Sequence, residues 1–409
     1  SVIRKESNRL ALFERLSGPL ETPVDDLMRR YNPCYPQKPG TCDKGQLYDT
    51  LLPLPLKEDV SEEIVNFIME RQEDYPGVDV VPAYKRVYPY APLASHVVGY
   101  MGAISAENLD TYLAQGYKRN ERVGQFGVEL SLERELHGRW GKRVYEVDSA
   151  GRVLRTLADI PARNGFDVQL TIDLDIQQFA EQALEAQLIY RRTVDAKQSK
   201  AELEEFGIKK YTAPAGSVIV ENHLTGAIVA MASYPTFDNR WIGTKLPAGK
   251  FAELFPADTK PDNAALTNRA IQGQYNVGSA FKPFTAYAAL QSGLVPGGSA
   301  YTYVDEGTYK IIACQKDKSR EISQKCVFRN AWNSRLNQPT HYGEIGVSEA
   351  LAVSSDTFFY KIGDEFLELT GGQPVFQNEL RQFGFGQKTG IDLPFDRAGI
   401  LPDKQVMDD

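Results

Sequence analysis

The strongest constraint on the fold is a double change of hydrophobic period that begins near Asn164 and Gly165. FDVQLTID alternates apolar and polar residues, as a half-buried strand does. It gives way to LDIQQFAEQALEAQLIYRR, where Ile176, Phe179, Ala180, Ala183, Leu184 and Leu188 recur at helical spacing. SVIVEN and AIVAMASY then flank the turn HLTG in near-continuous apolar runs, which predicts a hairpin in a sheet covered on both faces. Strand, long helix and hairpin in that order point to an α+β domain. The charged stretch from Asp195 to Lys210 and the weakly patterned one from Trp241 to Asp262 read as helical excursions or surface loops.

Residues 1–163 have another character, with short helices and turns and no recognisable chemistry. In SEEIVNFIMERQ, Ser61 is placed to cap a helix with acids in its first turn and Ile64, Val65, Ile68 and Met69 on one face. Proline and glycine punctuate PGVDVVPAYKRVYPYAPLASHVVGYMG, which predicts short strands on a loop-rich module. The chain therefore divides into an interaction or pedestal domain, 1–163, and a second domain, 164–409.

A net charge of −8, with no long basic run, argues against a nucleic-acid partner. No stretch reaches the ~18 consecutive apolar residues that a membrane span needs, and SVIRKESNRL lacks the apolar core of a signal peptide. Either the protein is cytoplasmic or a membrane-directing end lies outside this sequence. Four cysteines form two local pairs, Cys34 with Cys42 and Cys314 with Cys326, each spanning a polar, turn-rich interval. Two short disulfides and an oxidising compartment are the first reading; reduced thiols and a zinc site are the others, the last disfavoured by the lack of a tight C-x2-4-C pair.

In YNVGSAFKPF, Ser279 stands one helical turn before Lys282, and both precede an apolar helical run. Residues at i and i+3 share a face, and a helix N-terminus favours developing negative charge while disfavouring an ammonium. A serine nucleophile with a lysine base fits that spacing. So does a serine cap beside a solvated lysine. The chain has four histidines, no G-x-S-x-G elbow and no H-E-x-x-H, so a nucleophile here takes its base from something other than histidine. In EALAVSSDTFFYKIGDEF, Ser354, Ser355 and Asp356 interrupt a helical apolar segment. They read as a polar break in which one hydroxyl caps the second helix, or as the lining of a cleft that supplies partners to groups costly to bury alone.

Extended wording carries a resemblance. GFDVQLTIDLDIQQFAEQAL, AGSVIVENHLTGAIVAMASYPTFD, NRAIQGQYNVGSAFKP, HYGEIGVSEALAVSSDTFFY and FGFGQKTGIDLP resemble, in order, the transpeptidase domain of class B penicillin-binding proteins. RVYPYAPLASHVVGYMG and VGQFGVELSLERELHGRWGKRVYEVDSAGR resemble that family's pedestal, and SSDTFFY its elongation subgroup. The resemblance implies an α+β fold, a pedestal followed by a transpeptidase domain with an antiparallel sheet flanked by helices. It implies Ser279 as the acylated nucleophile, Lys282 as its base, Ser354 as a proton relay and Asp356 as a substrate-positioning group, with no cofactor and no metal. Asp356 stands where asparagine is commoner in the family, and Val277 where many relatives have proline.

Lys388, Thr389 and Gly390 spell the family's third box, but glycine before and proline after describe a turn. The family's catalytic K-T-G strand comes further along, so the domain is expected to be incomplete at its C-terminus. The resemblance also implies peptidoglycan stem peptides as substrate, β-lactam antibiotics as acylating agents, a RodA-type membrane glycosyltransferase as partner, and an extracytoplasmic site held by an N-terminal membrane helix absent from this chain. A non-catalytic scaffold, or a β-lactam-hydrolysing or carboxypeptidase relative, are the other readings.

Overall fold

The computed structural model describes residues 6–38, 54–81, 85–119, 121–148, 153–193, 211–242, 249–250, 254, 264–296, 301–317, 319, 326–333 and 335–401. Packing divides the chain into two compact units, Ser1–Arg86 and Val87–Asp409.

The first unit is helical among its described residues: α1 (Glu6–Ser17), α2 (Val24–Tyr31) and α3 (Glu62–Glu70). Asp25 and Asp26 open α2 while Arg29 and Arg30 close it, matching the helix dipole at both ends. The Ser61 hydroxyl caps α3 by accepting from Ile64 N at 3.4 Å. Leu12, Phe13 and Leu16 pack with Leu27, Met28 and Ile68 in one core. Met69, placed by its spacing on the same face as Ile68, is 44% exposed. Cys34 is buried; its expected partner Cys42 lies outside the described residues.

The second unit begins with α4 (Ser95–Val98), β1 (Tyr100–Ala103), α5 (Leu109–Ala114), β2 (Arg122–Phe126), α6 (Gly127–Ser131), α7 (Glu133–Leu136) and the ribbon β3 (Lys142–Val147) and β4 (Val153–Ile160). The helix α8 (Leu174–Thr193) and the hairpin β5 (Gly216–Asn222) and β6 (Ala227–Tyr234) follow. Ala94 and Val97 share a core with Met231 and Ile271, and Phe126 another with Phe237 and Ala265, so these early elements pack as part of the larger unit.

Three local expectations differ from the structure. FDVQLTID joins no ladder, since its backbone link to β6 is a single bond, Asp173 N to Val229 O at 2.9 Å. On α8 the fully buried side chain is Gln177, while Phe179 is 72% exposed. Gln177 is buried because its carboxamide pairs with both backbone groups of Met231, at 2.7 and 2.9 Å, and so acts as an extra strand residue. The hairpin is buried along Ala230, Met231 and Ala232 of β6, whereas Ile219 and Val220 of β5 are exposed.

Next come α9 (Arg269–Gln272), a 3-10 turn (Gly278–Phe281) and α10 (Lys282–Gln291). The excursion between the two serine segments holds β7 (Tyr303–Asp305), β8 (Thr308–Lys310), α11 (Ile312–Lys316), β9 (Val327–Arg329), β10 (Trp332–Asn333), β11 (Gln338–Pro339) and β12 (Gly343–Ile345). Helices α12 (Val347–Ala352), α13 (Asp356–Leu369) and α14 (Val375–Arg381) complete the described elements. All six strand pairs among the described residues are antiparallel: β1 with β2, β3 with β4, β5 with β6, β7 with β12, β8 with β9 and β10 with β11. Cys314 and Cys326 form a disulfide with Cα atoms 5.8 Å apart. Among the described residues no helix is long and apolar enough to cross a membrane. The charged stretch 194–210 and most of 243–263 lie outside the described residues.

Candidate active site

Two helices set the site's frame. Ala286, Ala288 and Ala289 of α10 are buried against Phe358, Ile362 and Phe366 of α13 in one cluster. Small residues on α10 and aromatic ones on α13 interlock, which fixes the N-terminus of each helix against the other. Lys282 opens α10 and Asp356 opens α13.

Ser279 precedes α10 on the 3-10 turn rather than on the helix itself. Gly278 takes φ 64°, a left-handed conformation that glycine adopts without steric cost. Pro283 lies in the first turn of α10, where no backbone donor is needed. Ser279 is exposed.

Ser354 lies where α12 ends. Ser355 N donates to Ala350 O at 2.9 Å and Ser354 N to Leu351 O at 3.2 Å, the paired bonds of a Schellman stop. Glycine usually holds the left-handed position of that stop; here Ser354 does, at φ 55°. The next residue starts a new helix, since the buried Ser355 hydroxyl accepts from Phe358 N at 3.1 Å and caps α13. The polar trio is therefore both a helix break and a site wall.

Lys282 joins the two walls. Its Nζ donates to Asp356 Oδ1 at 2.5 Å, to Ser354 O at 2.8 Å and to Ser354 Oγ at 3.0 Å. Three acceptors complement the three donors of an ammonium. The side chain is 12% exposed and that of Asp356 29%, so the pair is shielded more than a surface salt bridge. Lys282, Ser354 and Asp356 are thus brought into direct contact. Ser279 sits one turn ahead of the lysine, whose backbone N–H donates to the Ser279 carbonyl, and among the described residues no side-chain hydrogen bond joins the two. Burial, reinforced by Asp305 and Asp356, raises the Tyr342 phenol above its ordinary range, and burial with Asp356 does the same to Tyr360. Neither phenol serves as a base at neutral pH.

Lys388, Thr389 and Gly390 lie outside any helix or strand, shortly after the turn at 382–386. Gly390 has φ 78°, and Asp396 Oδ2 accepts from Thr389 Oγ1 at 3.0 Å and from Gly390 N at 3.2 Å. Asp305 and Asn330, which no motif singles out, lie buried behind the Ser354 turn. Their long sequence separation from it leaves no local pattern to find.

Residues 2–170 match the family model of the penicillin-binding protein dimerisation domain, and residues 216–409 that of the penicillin-binding protein transpeptidase domain. The chain is 28% identical over 356 residues to the peptidoglycan D,D-transpeptidase MrdA of Escherichia coli, a match covering 86% of this chain and 48% of the relative. The chain thus spans about half the length of the curated relatives it matches. Among solved structures, a complex between a penicillin-binding protein (PBP2) and MreC from Helicobacter pylori aligns with a TM-score of 0.69 at 22% identity, over 98% of this chain and 62% of that one. A structure described as the structural coordination of polymerization and crosslinking by a peptidoglycan synthase complex aligns with a TM-score of 0.60 at 27% identity, over 97% of this chain and 58% of that one.

Proposed function

The chain belongs to the class B penicillin-binding protein family, of the elongation type, and we propose that it acts as a serine D,D-transpeptidase that crosslinks peptidoglycan stem peptides through an acyl-enzyme. The observation that carries this reading is Lys282, one turn after Ser279, with its Nζ held by the Ser354 hydroxyl and the Asp356 carboxylate.

Ser279 Oγ attacks the carbonyl of the penultimate D-alanine, and its proton passes to Lys282. From Lys282 the proton moves on to the Ser354 hydroxyl, which lies 3.0 Å from Nζ. Ser354 then delivers a proton to the departing terminal D-alanine nitrogen as the bond to the penultimate carbonyl breaks. An amine of a neighbouring stem attacks the ester, which forms the crosslink and frees Ser279. Asp356 keeps the lysine aimed at Ser354 and takes part in substrate positioning. β-Lactams acylate the same serine.

On this reading residues 1–163 serve as pedestal and 164–409 as transpeptidase domain. A RodA-type glycosyltransferase is the proposed membrane partner, supported by likeness to a member of a peptidoglycan synthase complex. The Cys314–Cys326 disulfide supports an oxidising, extracytoplasmic location, with membrane attachment through an N-terminal helix outside this sequence.

The test supplies the full-length protein with a pentapeptide donor and an amine acceptor and resolves the products by mass spectrometry. Crosslinked dimer, lost in Ser279→Ala, is expected. Hydrolysed donor without dimer would make the protein a carboxypeptidase, and no turnover of donor would leave the scaffold reading.

A further inference from the structure

The turn that carries Ser354 is fixed from behind by two buried residues. Asp305 ends β7 and Asn330 follows β9, at 1% and 3% exposure. Asn330 Oδ1 accepts from Asp356 N at 2.7 Å and Thr357 N at 2.9 Å, the first two amides of α13. Its Nδ2 donates to both Asp305 oxygens at 2.9 Å and to Thr340 O at 2.9 Å. Only this orientation of the carboxamide satisfies every neighbour, since the two amides need an acceptor and the carboxylate and carbonyl need a donor. The Asp305 carboxylate also accepts from the Ser355 hydroxyl at 2.6 Å and from Gly307 N at 2.8 Å.

With the Ser355 cap on Phe358 N, side chains hold three of the first four α13 amides. A non-glycine residue at positive φ persists only where its surroundings over-determine it, and Ser354 at 55° is the residue so held. We infer that Asp305 and Asn330 are positioning residues for the reaction proposed above: they fix the Ser354 hydroxyl and the Asp356 carboxylate against Lys282. Among the described residues no hydrogen bond runs from either side chain to the lysine or to the serines at 279 and 354, so they act through the turn. The inference rests on the acyl-transfer reading. It gives the excursion between the serine segments a task, since both residues come from it.

The test measures acylation of the full-length protein by a fluorescent penicillin, separating the first-order acylation constant from the dissociation constant of the initial complex. Asn330→Ala is expected to lower the acylation constant on the order of 10²-fold while the dissociation constant stays within about threefold, the mark of lost geometry rather than lost binding. Tyr309→Phe is the control. It removes a 2.7 Å bond from the same excursion to Asp364 on α13, away from the lysine, and is expected to leave the acylation constant unchanged. If Asn330→Ala does not fold, Asp305→Asn decides in its place, because it keeps the shape of the network and is expected to acylate about tenfold more slowly. A folded Asn330→Ala acylating at the wild-type rate, a loss confined to the dissociation constant, or an equal loss in Tyr309→Phe would overturn the inference. Absence of label on the unsubstituted protein would sink the acyl-transfer reading itself.

Discussion

The turn of Ser279 and the turn of Ser354 meet at one lysine, yet they are built in opposite ways. Residues 273–280 are all exposed, and nothing lies within 4 Å of the place a Cβ would occupy at Gly278. One side-chain bond, Gln274 Nε2 to Ala398 O at 2.9 Å, ties that stretch across the surface. Around Ser354 the neighbours Ser355 and Thr357 are fully buried, and each bond is doubled by another from behind. On the proposed function, the serine that the substrate must reach is left open, while the group proposed to move protons is held still. Precision resides in the wall the substrate does not displace.

The largest effect should come from removing the link between the walls. Lys282→Met is expected to lower the rate of penicillin acylation by about 10³-fold, within the range of a lost general base. A rate within about threefold of wild type would mean that Ser279 is activated from elsewhere.

Acid should weaken the footing of the open wall. His96 Nε2 meets Ala265 O at 2.7 Å, in the segment that leads into α9 and the Ser279 turn. Burial lowers this imidazole from 6.5 to about 4. Between those values the unfolded chain binds a proton that the folded one refuses, so stability falls as pH drops through the window and is unaffected by His96 above it. The loss by pH 4.5 is on the order of 2–3 kcal/mol. Denaturant melts at pH 7.5 and 4.5 check it against His96→Gln, in which this share of the pH dependence should vanish.

Ser355→Ala removes a helix cap and strips a donor from buried Asp305. It is expected to cost about 2 kcal/mol in urea unfolding. A neutral result would show that the second wall does not depend on its network. Gly278→Ala meets open space at φ 64° and should cost only the strain of a left-handed alanine, about 1 kcal/mol. A much larger loss would show that the Ser279 turn is packed after all.

The sequence made the elements legible where one local period decides. The α8 helix, the β5–β6 hairpin, the Ser61 cap and the break at Ser354 all follow from spacing and cap chemistry. It failed where a partner decides. FDVQLTID has a strand's alternation but joins no ladder, and its apolar Phe166 and Leu170 are exposed, because alternation shows which residues could share a face and not whether a partner covers them. Helical spacing places Phe179 on the core face of α8, yet Gln177 takes the buried place by hydrogen-bonding Met231, which hydrophobic spacing does not register. At the candidate site, short motifs single out Ser279, Lys282, Ser354 and Asp356, and the roles proposed for them come from the resemblance in extended wording. Asp305 and Asn330 are singled out by none, for they act 50 and 26 residues away from Ser355 and Asp356 through bonds that exist only in the fold.

The central claim, that Ser279 is the nucleophile of this site, is tested most directly by intact-mass measurement and peptide mapping of the full-length protein after reaction with penicillin. The account predicts one adduct, located on Ser279 and absent from Ser279→Ala. An adduct on any other residue, or one that persists in Ser279→Ala, would contradict it.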